Sequence, residues 1–246
     1  MIRTAPLFAA AAALALTACA EDPTTVEGTD QTDLDNVDTE SEREAAAAAL
    51  DAGDFAQLDL GAKIEGPQGP EVKTSLSNAD GNFADITSYV ACPSGMATCD
   101  PATAPRGTVY TYVHTVYPGE DNDASTGAGA GATSSDVERA TLFRMTRPAT
   151  GFTGTVGYAK AEALAAIGEK ADIIVTCDNG ALAWTVSAGD GGDQWQAREP
   201  ITFFWQSTVA PSGPAEAYAI DVDGTRARGN GPYPGNGQGS ANACMG

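Results

Sequence analysis

Two hydrophobic patterns divide this chain. Residues 5–16 form an almost unbroken apolar run, interrupted only by Pro6, whereas from Leu58 onward apolar and polar residues alternate in short stretches. Alternation with period two marks a half-buried strand, because successive side chains point to opposite faces of a sheet. Leu58, Leu60, Ala62 and Ile64 alternate, and so do Val72, Thr74 and Leu76 beyond the turn residues 66–70 (GPQGP). After a break at residues 78–82, residues 83–91 read as a less regular strand. Residues 108–117 (TVYTYVHTVY) are the strongest strand, entirely β-branched and aromatic apart from His114. Strand character resumes over 141–147, 151–157 and 200–209 (PITFFWQSTV), the last with aromatics that imply burial on both faces. Two pairs read as hairpins: 172–177 with 181–187 around Asp178-Asn179-Gly180, and 217–222 with 225–228 around Asp223-Gly224. Residues 229–239 read as glycine-rich coil.

Helical signals are few. Residues 159–167 (AKAEALAAI) place Ala161, Leu164 and Ala165 on one face, with Gly168 as a stop. Ser41 and Glu44 have capping-box spacing and open an alanine run through Leu50 that Gly53 could end. Many short strands without βαβ alternation predict an all-β fold. The expected architecture is an antiparallel β-sandwich or barrel-like domain with one or two short helices and an N-terminal flexible tether. The single mostly-β domain is expected to begin at Phe55 and to span 55–246.

Charge sharpens this division. The chain carries a formal net charge of −20. Residues 20–54 hold twelve acids and one base, Arg43, while residues 55–246 have 21 acids against 11 bases. So acidic a surface excludes nucleic acid as a partner and suits a body held off an anionic membrane. Residues 20–40 have too few apolar groups to offset the entropy of ordering, and read as a tether. Residues 119–136 (GEDNDASTGAGAGATSSD) form a long low-complexity loop with no apolar residue larger than alanine.

The start of the chain fits export. One base, Arg3, precedes the apolar run, which is too short for the roughly 20 residues of a spanning helix and matches a signal-peptide core. The run ends in Leu16-Thr17-Ala18-Cys19, which resembles the lipobox of bacterial lipoproteins. The resemblance covers residues 1–19 only. It implies that residues 1–18 are removed, that Cys19 is lipidated, and that residues 19–54 comprise the lipidated cysteine, the acidic tether and the short helix. Acyl chains at about 0.8 kcal/mol per buried methylene hold such a protein at a membrane. Ala20, in place of the aspartate that retains enterobacterial lipoproteins in the inner membrane, favours the outer membrane.

With Cys19 assigned to lipid, Cys92, Cys99, Cys177 and Cys244 remain, and four thiols in an exported chain argue for two disulfides. Cys92 and Cys99 flank a turn-rich hexapeptide, so a local clip is the natural pairing, and Cys177 would then tie down Cys244 near the C-terminus.

Candidate chemistry is sparse. His114 shares a strand face with Tyr110 and Tyr112, and catalysis there would need a nucleophile and an orienting carboxylate nearby. No G-x-S-x-G elbow exists, so a structural histidine is the reading adopted. Glu120, Asp121 and Asp123, and likewise Asp190 and Asp193, cluster hard oxygen ligands in glycine-rich loops, and calcium is the metal they would suit. Neither cluster has EF-hand spacing, solvated turns are the default, and no other cofactor is implied. Trp184, Trp195, Phe203, Phe204 and Trp205 are expected to fill the core. Trp195, flanked by Asp193, Gln194 and Gln196, is the one that could instead offer a stacking face to a sugar. These readings converge on a lipid-anchored cell-envelope protein whose β-domain is a non-catalytic binding or structural module for envelope glycan or protein. The alternative is an envelope-glycan hydrolase using a carboxylate pair such as Asp190/Asp193 or Asp221/Asp223.

Overall fold

The computed structural model describes residues 49–119, 137, 139–188, 192–237 and 240–245. Cys19, the tether at 20–40 and the loop acids Glu120, Asp121, Asp123 and Asp190 lie outside these. The described chain is mostly β. Its strands are β1 (Ala49–Leu50), β2 (Ala52–Asp54), β3 (Leu60–Lys63), β4 (Val72–Asn78), β5 (Gly81–Pro93), β6 (Tyr110–Pro118), β7 (Ala140–Met145), β8 (Phe152–Tyr158), β9 (Asp172–Asp178), β10 (Ala181–Ser187), β11 (Ile201–Ser207), β12 (Pro211–Val222) and β13 (Thr225–Pro234). One helix, α1 (Lys160–Ile167), joins β8 to β9.

All thirteen strands belong to one sheet, in the order β1-β9-β10-β7-β12-β13-β4-β5-β6-β11-β8-β2, with β3 beside the end of β5. The two strands that end this order, β1 and β2, are separated in the chain by Asp51 alone. Residues 49–54 therefore form one strap that pairs antiparallel with β9 at its start and parallel with β8 at its end. That double pairing curls the sheet round into a barrel-like closure. Strand structure is present from Ala49, six residues before the expected Phe55. Leu50 and Gly53, placed by the sequence on a helix and at its stop, are strap residues instead. Their backbone groups are taken up by strand edges that alanine propensity alone does not register.

Hairpins form where their turns demand positive φ. Asn179 (φ 50°) and Gly180 (φ 81°) link β9 to β10, and Asp223 (φ 47°) and Gly224 (φ 78°) link β12 to β13. The β12–β13 hairpin is longer than the sequence suggested, because Gly229–Pro234 is strand, not coil. Its register with Pro211–Glu216 is carried through irregularities near Gly213 and Tyr218. Glycine is required here by close approach. A Cβ on Gly231 would stand 2.7 Å from the Tyr218 ring, and one on Gly229 would stand 2.4 Å from the Ser75 carbonyl oxygen. The composition that resembled a tail is what permits this tight pairing.

The interior is aromatic. Phe143 lies 5.0 Å from Phe203, 5.9 Å from Tyr218 and 5.6 Å from Trp184, ring centre to ring centre. Phe203 and Trp205 of β11 point inward, so Phe204 between them points outward. It is nonetheless buried, because Phe55, just past the strap, packs on it at 6.1 Å. Helix α1 presents Ala163, Ala166 and Ile167 to the body, and Leu164 is 51 % exposed. The expected face of Ala161, Leu164 and Ala165 is thus not the buried one. A short helix of alanines has little hydrophobic asymmetry, and the Glu162 carboxylate accepting the Thr202 N–H at 2.6 Å fixes its rotation.

Two disulfides join Cys92 to Cys99 and Cys177 to Cys244, at sequence separations of 7 and 67. The second holds the C-terminal turn Ala243–Met245 against the β9–β10 hairpin, where the Asn242 amide also donates to the Gly180 carbonyl at 2.9 Å. Chain entropy makes the longer loop worth about 2 kcal/mol more than the shorter. Urea unfolding of Cys177→Ser/Cys244→Ser is accordingly expected to show about 2 kcal/mol greater loss than Cys92→Ser/Cys99→Ser. Limited proteolysis of the first variant should cut after Pro234, where β13 ends.

Candidate functional site

The structure brings His114 to a serine, but in the wrong polarity for catalysis. β5 and β6 align Ser88 opposite His114, and the Ser88 Oγ lies 2.9 Å from His114 Nδ1. On the other side of the ring the Trp205 indole N–H donates to His114 Nε2 at 3.4 Å. Indole is a donor only, so Nε2 is the unprotonated nitrogen and the network assigns the proton to Nδ1. Nδ1–H then donates to Ser88, which is the reverse of a base withdrawing a proton from a nucleophile. Both residues are fully buried, and the Tyr218 ring sits 4.2 Å from the imidazole. Burial drives the His114 pKa down to about 3. Tyr218 donates to the Pro232 carbonyl at 2.7 Å, and its own pKa is pushed up by the same burial. Tyr112, stacked on Trp205 at 4.5 Å, donates to the Val209 carbonyl at 2.9 Å. This is a core polar network that ties β5, β6, β11, β12 and β13 together.

The other sequence candidates go to structural duties. Trp195 is 1 % exposed and offers no stacking face, which overturns the reading of it as a ligand-binding aromatic. Its indole N–H donates to the Glu199 carbonyl at 2.6 Å and its ring meets Phe203 edge-on. An isolated bridge to Ala140 carries it inward out of a polar loop, a long-range pairing that its polar neighbours conceal. Asp193 accepts from the Gln194 N–H at 2.9 Å and the Gln196 side chain at 3.1 Å, closing its own loop. The Glu199 carboxylate accepts the Gln196 N–H at 2.7 Å, and burial raises its pKa. Asp221 holds Arg226 through two bonds of 2.6 and 2.7 Å, and Asp223 accepts the Arg139 N–H at 2.8 Å. Among the described residues no three His, Cys, Asp or Glu side chains converge as metal ligands. Among them, too, no helix is long and apolar enough to cross a membrane.

Among the described residues there is a cleft of about 680 Å³ that the sequence did not reveal. Its walls are the end of β3, the turn around Gly66 and Pro67, the segment 97–103 that closes and follows the Cys92–Cys99 clip, and Pro211. The disulfide and the pairing of Ile64 with Cys99 lay this segment alongside β3. Asp100 builds the local turn by accepting the Ala102 N–H at 2.9 Å and the Thr103 hydroxyl at 3.2 Å. Lys63 at the rim is held 3.5 Å from Glu71 and lies 4.0 Å over the Tyr89 ring. One residue beyond Pro67, both polar atoms of the Gln68 amide are buried without a hydrogen-bond partner among the described residues. A cleft of this size with mixed lining is within the range of ligand sites. No protein-family model, curated protein or solved structure matches this chain.

The buried imidazole makes a direct prediction. His114 is the only histidine in the chain, and its pKa falls from 6.5 unfolded to about 3 folded. Below pH 6.5 the unfolded chain binds a proton that the folded chain refuses. The associated stability is therefore complete above pH 6.5 and is lost as pH falls toward 3. Between pH 6.5 and 5, where carboxylates contribute least, stability should fall by up to about 1.4 kcal/mol per pH unit. Urea titrations at several pH values measure this slope, and His114→Gln should flatten it whatever its absolute stability.

Proposed function

We propose that this chain is a lipid-anchored protein of the bacterial cell envelope, held at the outer membrane through Cys19, whose barrel-like domain is a non-catalytic binding module. The observation that carries the reading is the Leu16-Thr17-Ala18-Cys19 motif directly behind a short apolar run. The acidic, apolar-poor residues 20–40 agree with a spacer between anchor and body. The binding role rests on the cleft beside the Cys92–Cys99 clip. A disulfide and a hydrogen-bonded turn keep its wall in place, which lowers the ordering cost of binding. Proline, alanine and threonine dominate the cleft lining, and with Trp195 withdrawn into the core a protein segment fits better than a stacked sugar ring.

Two measurements on cells test this. Labelled palmitate should enter the wild-type chain and fail to enter Cys19→Ser, which should leave the membrane fraction. Persistent labelling and pelleting of the variant would overturn the anchor. A photo-crosslinking residue in place of exposed Ala102 should then capture a discrete envelope protein, while the same residue in place of exposed Thr155 on β8 should not. Equal capture at both positions, or none at Ala102, would overturn the cleft as the binding site.

A further inference from the structure

Between β7 and β8 a basic side chain stands without an acid. Arg147 lines an open cavity of about 510 Å³ together with Thr150, Tyr233 and the glycine turn at 235–237. Acids outnumber bases 21 to 11 over residues 55–246, yet Arg147 makes no ion pair or hydrogen bond among the described residues. Its neighbour is a ring. The guanidinium carbon lies 5.6 Å from the centre of the Tyr233 ring. Contact with an aromatic face uses none of the five N–H groups, which form a planar fork that a carboxylate matches with two parallel bonds.

The parts of this cavity are held from outside it. The backbone around Arg147 is tied by the Thr146 N–H to the Ala217 carbonyl at 2.8 Å and by the Ala149 N–H to the Gly180 carbonyl at 2.7 Å. Pro148, next in the chain, disfavours helical conformations at Arg147 itself. The Tyr233 hydroxyl donates to the Pro148 carbonyl at 2.7 Å, which sets the ring. In the turn, the Gly235 N–H donates to the Ala210 carbonyl at 3.0 Å and the Gly237 N–H to the Gly235 carbonyl at 2.8 Å. A Cβ on Gly237 would stand 2.6 Å from the Val209 side chain, so the turn lies as close as glycine permits. Two neutral donors share the lining. The Thr150 hydroxyl is 3.5 Å from that of Tyr233, and the exposed Asn236 amide has no partner among the described residues.

A fork and neutral donors held ready on a fixed frame suit a small anion, because little ordering remains to be done on binding. Charge selects which one. A single guanidinium balances a single negative charge, whereas a phosphate dianion would leave another uncompensated on a chain of net charge −20. We infer that this cavity is a carboxylate-binding site in which Arg147 takes both oxygens. The carboxylate comes from a peptide terminus or from an acidic side chain. The site shares no lining residue with the cleft beside the Cys92–Cys99 clip, although Pro211 of the cleft and Pro234 of the cavity are register partners. It depends neither on the anchor nor on what fills the cleft.

The test uses the full chain carrying Cys19→Ser, labelled with ¹⁵N, and follows the Arg147 Nε–H resonance while calorimetry gives the affinity. The probes, at millimolar concentration, are acetyl-Ala-Ala with a free terminal carboxylate, acetyl-Asp-Ala amide, the neutral acetyl-Asn-Ala amide, and inorganic phosphate. At least one carboxylate probe should shift the Arg147 resonance while the neutral one does not, and the tighter of the two identifies the source. Arg147→Gln should weaken that probe about tenfold or more, the loss expected for a charged hydrogen-bonded pair. Arg228→Gln, at an exposed arginine on β13, should leave it unchanged. Equal response to the neutral probe, or none to either carboxylate, overturns the inference. So does an equal loss in Arg228→Gln, which would mean attraction by charge alone, and so does tighter binding of phosphate.

Discussion

A sheet that does not close leaves two rows of unpaired N–H and C=O groups, and the closure of this one depends on six residues. β8 and β9 present those rows to each other across a gap that their own curvature does not bridge, and the strap at 49–54 fills it. Several other features follow from that placement. Gly157 is glycine because Gly53 must lie on it, and its carbonyl receives the Trp184 indole at 3.1 Å from inside the barrel. Helix α1 starts where Asp54 caps it. Phe204 can be outward and apolar because the chain leaving the strap covers it.

Within that closure the core combines large rings with few polar atoms, each of which has a partner. His114 shows how strict the accounting is. The indole of Trp205 can only donate, so the imidazole must accept there and donate to Ser88. Such a network is stabilising while the ring is neutral, and it makes the core intolerant of a proton. The cleft beside the Cys92–Cys99 clip has the opposite character: polar groups at its edge, a hydrogen-bonded turn for a wall, and a buried amide on the adjoining turn without a partner. On the reading proposed above, rigidity resides in the barrel and recognition in the loops that it holds.

Local chemistry was legible where it was self-sufficient. The alternation at 58–64 and 72–76, the Asn179-Gly180 turn and the spacing of Cys92 and Cys99 each state a conformation that neighbours in sequence enforce, and the structure contains each of them. The motif at Cys19 is equally local, and it carries the proposal about anchoring without reference to the fold. Reading failed where a distant partner overrode local preference. Ala49 and Leu50 became strand because β9 offers an edge more than a hundred residues away. Gly229 and Gly231 became strand because only glycine fits there against Ser75 and Tyr218.

By itself, then, the sequence determined most of the strand content, two of the three two-residue hairpins, the disulfide pairing and the acidic character of the chain, since each depends on residues close together or on composition. Tertiary structure alone decided the closure by the strap, the inward turn of Trp195, the partners of His114 and the existence of the cleft. These depend on register between strands far apart in the chain. A shift of one residue in such a register exchanges the two faces of a strand, and only packing against the whole sheet selects between them.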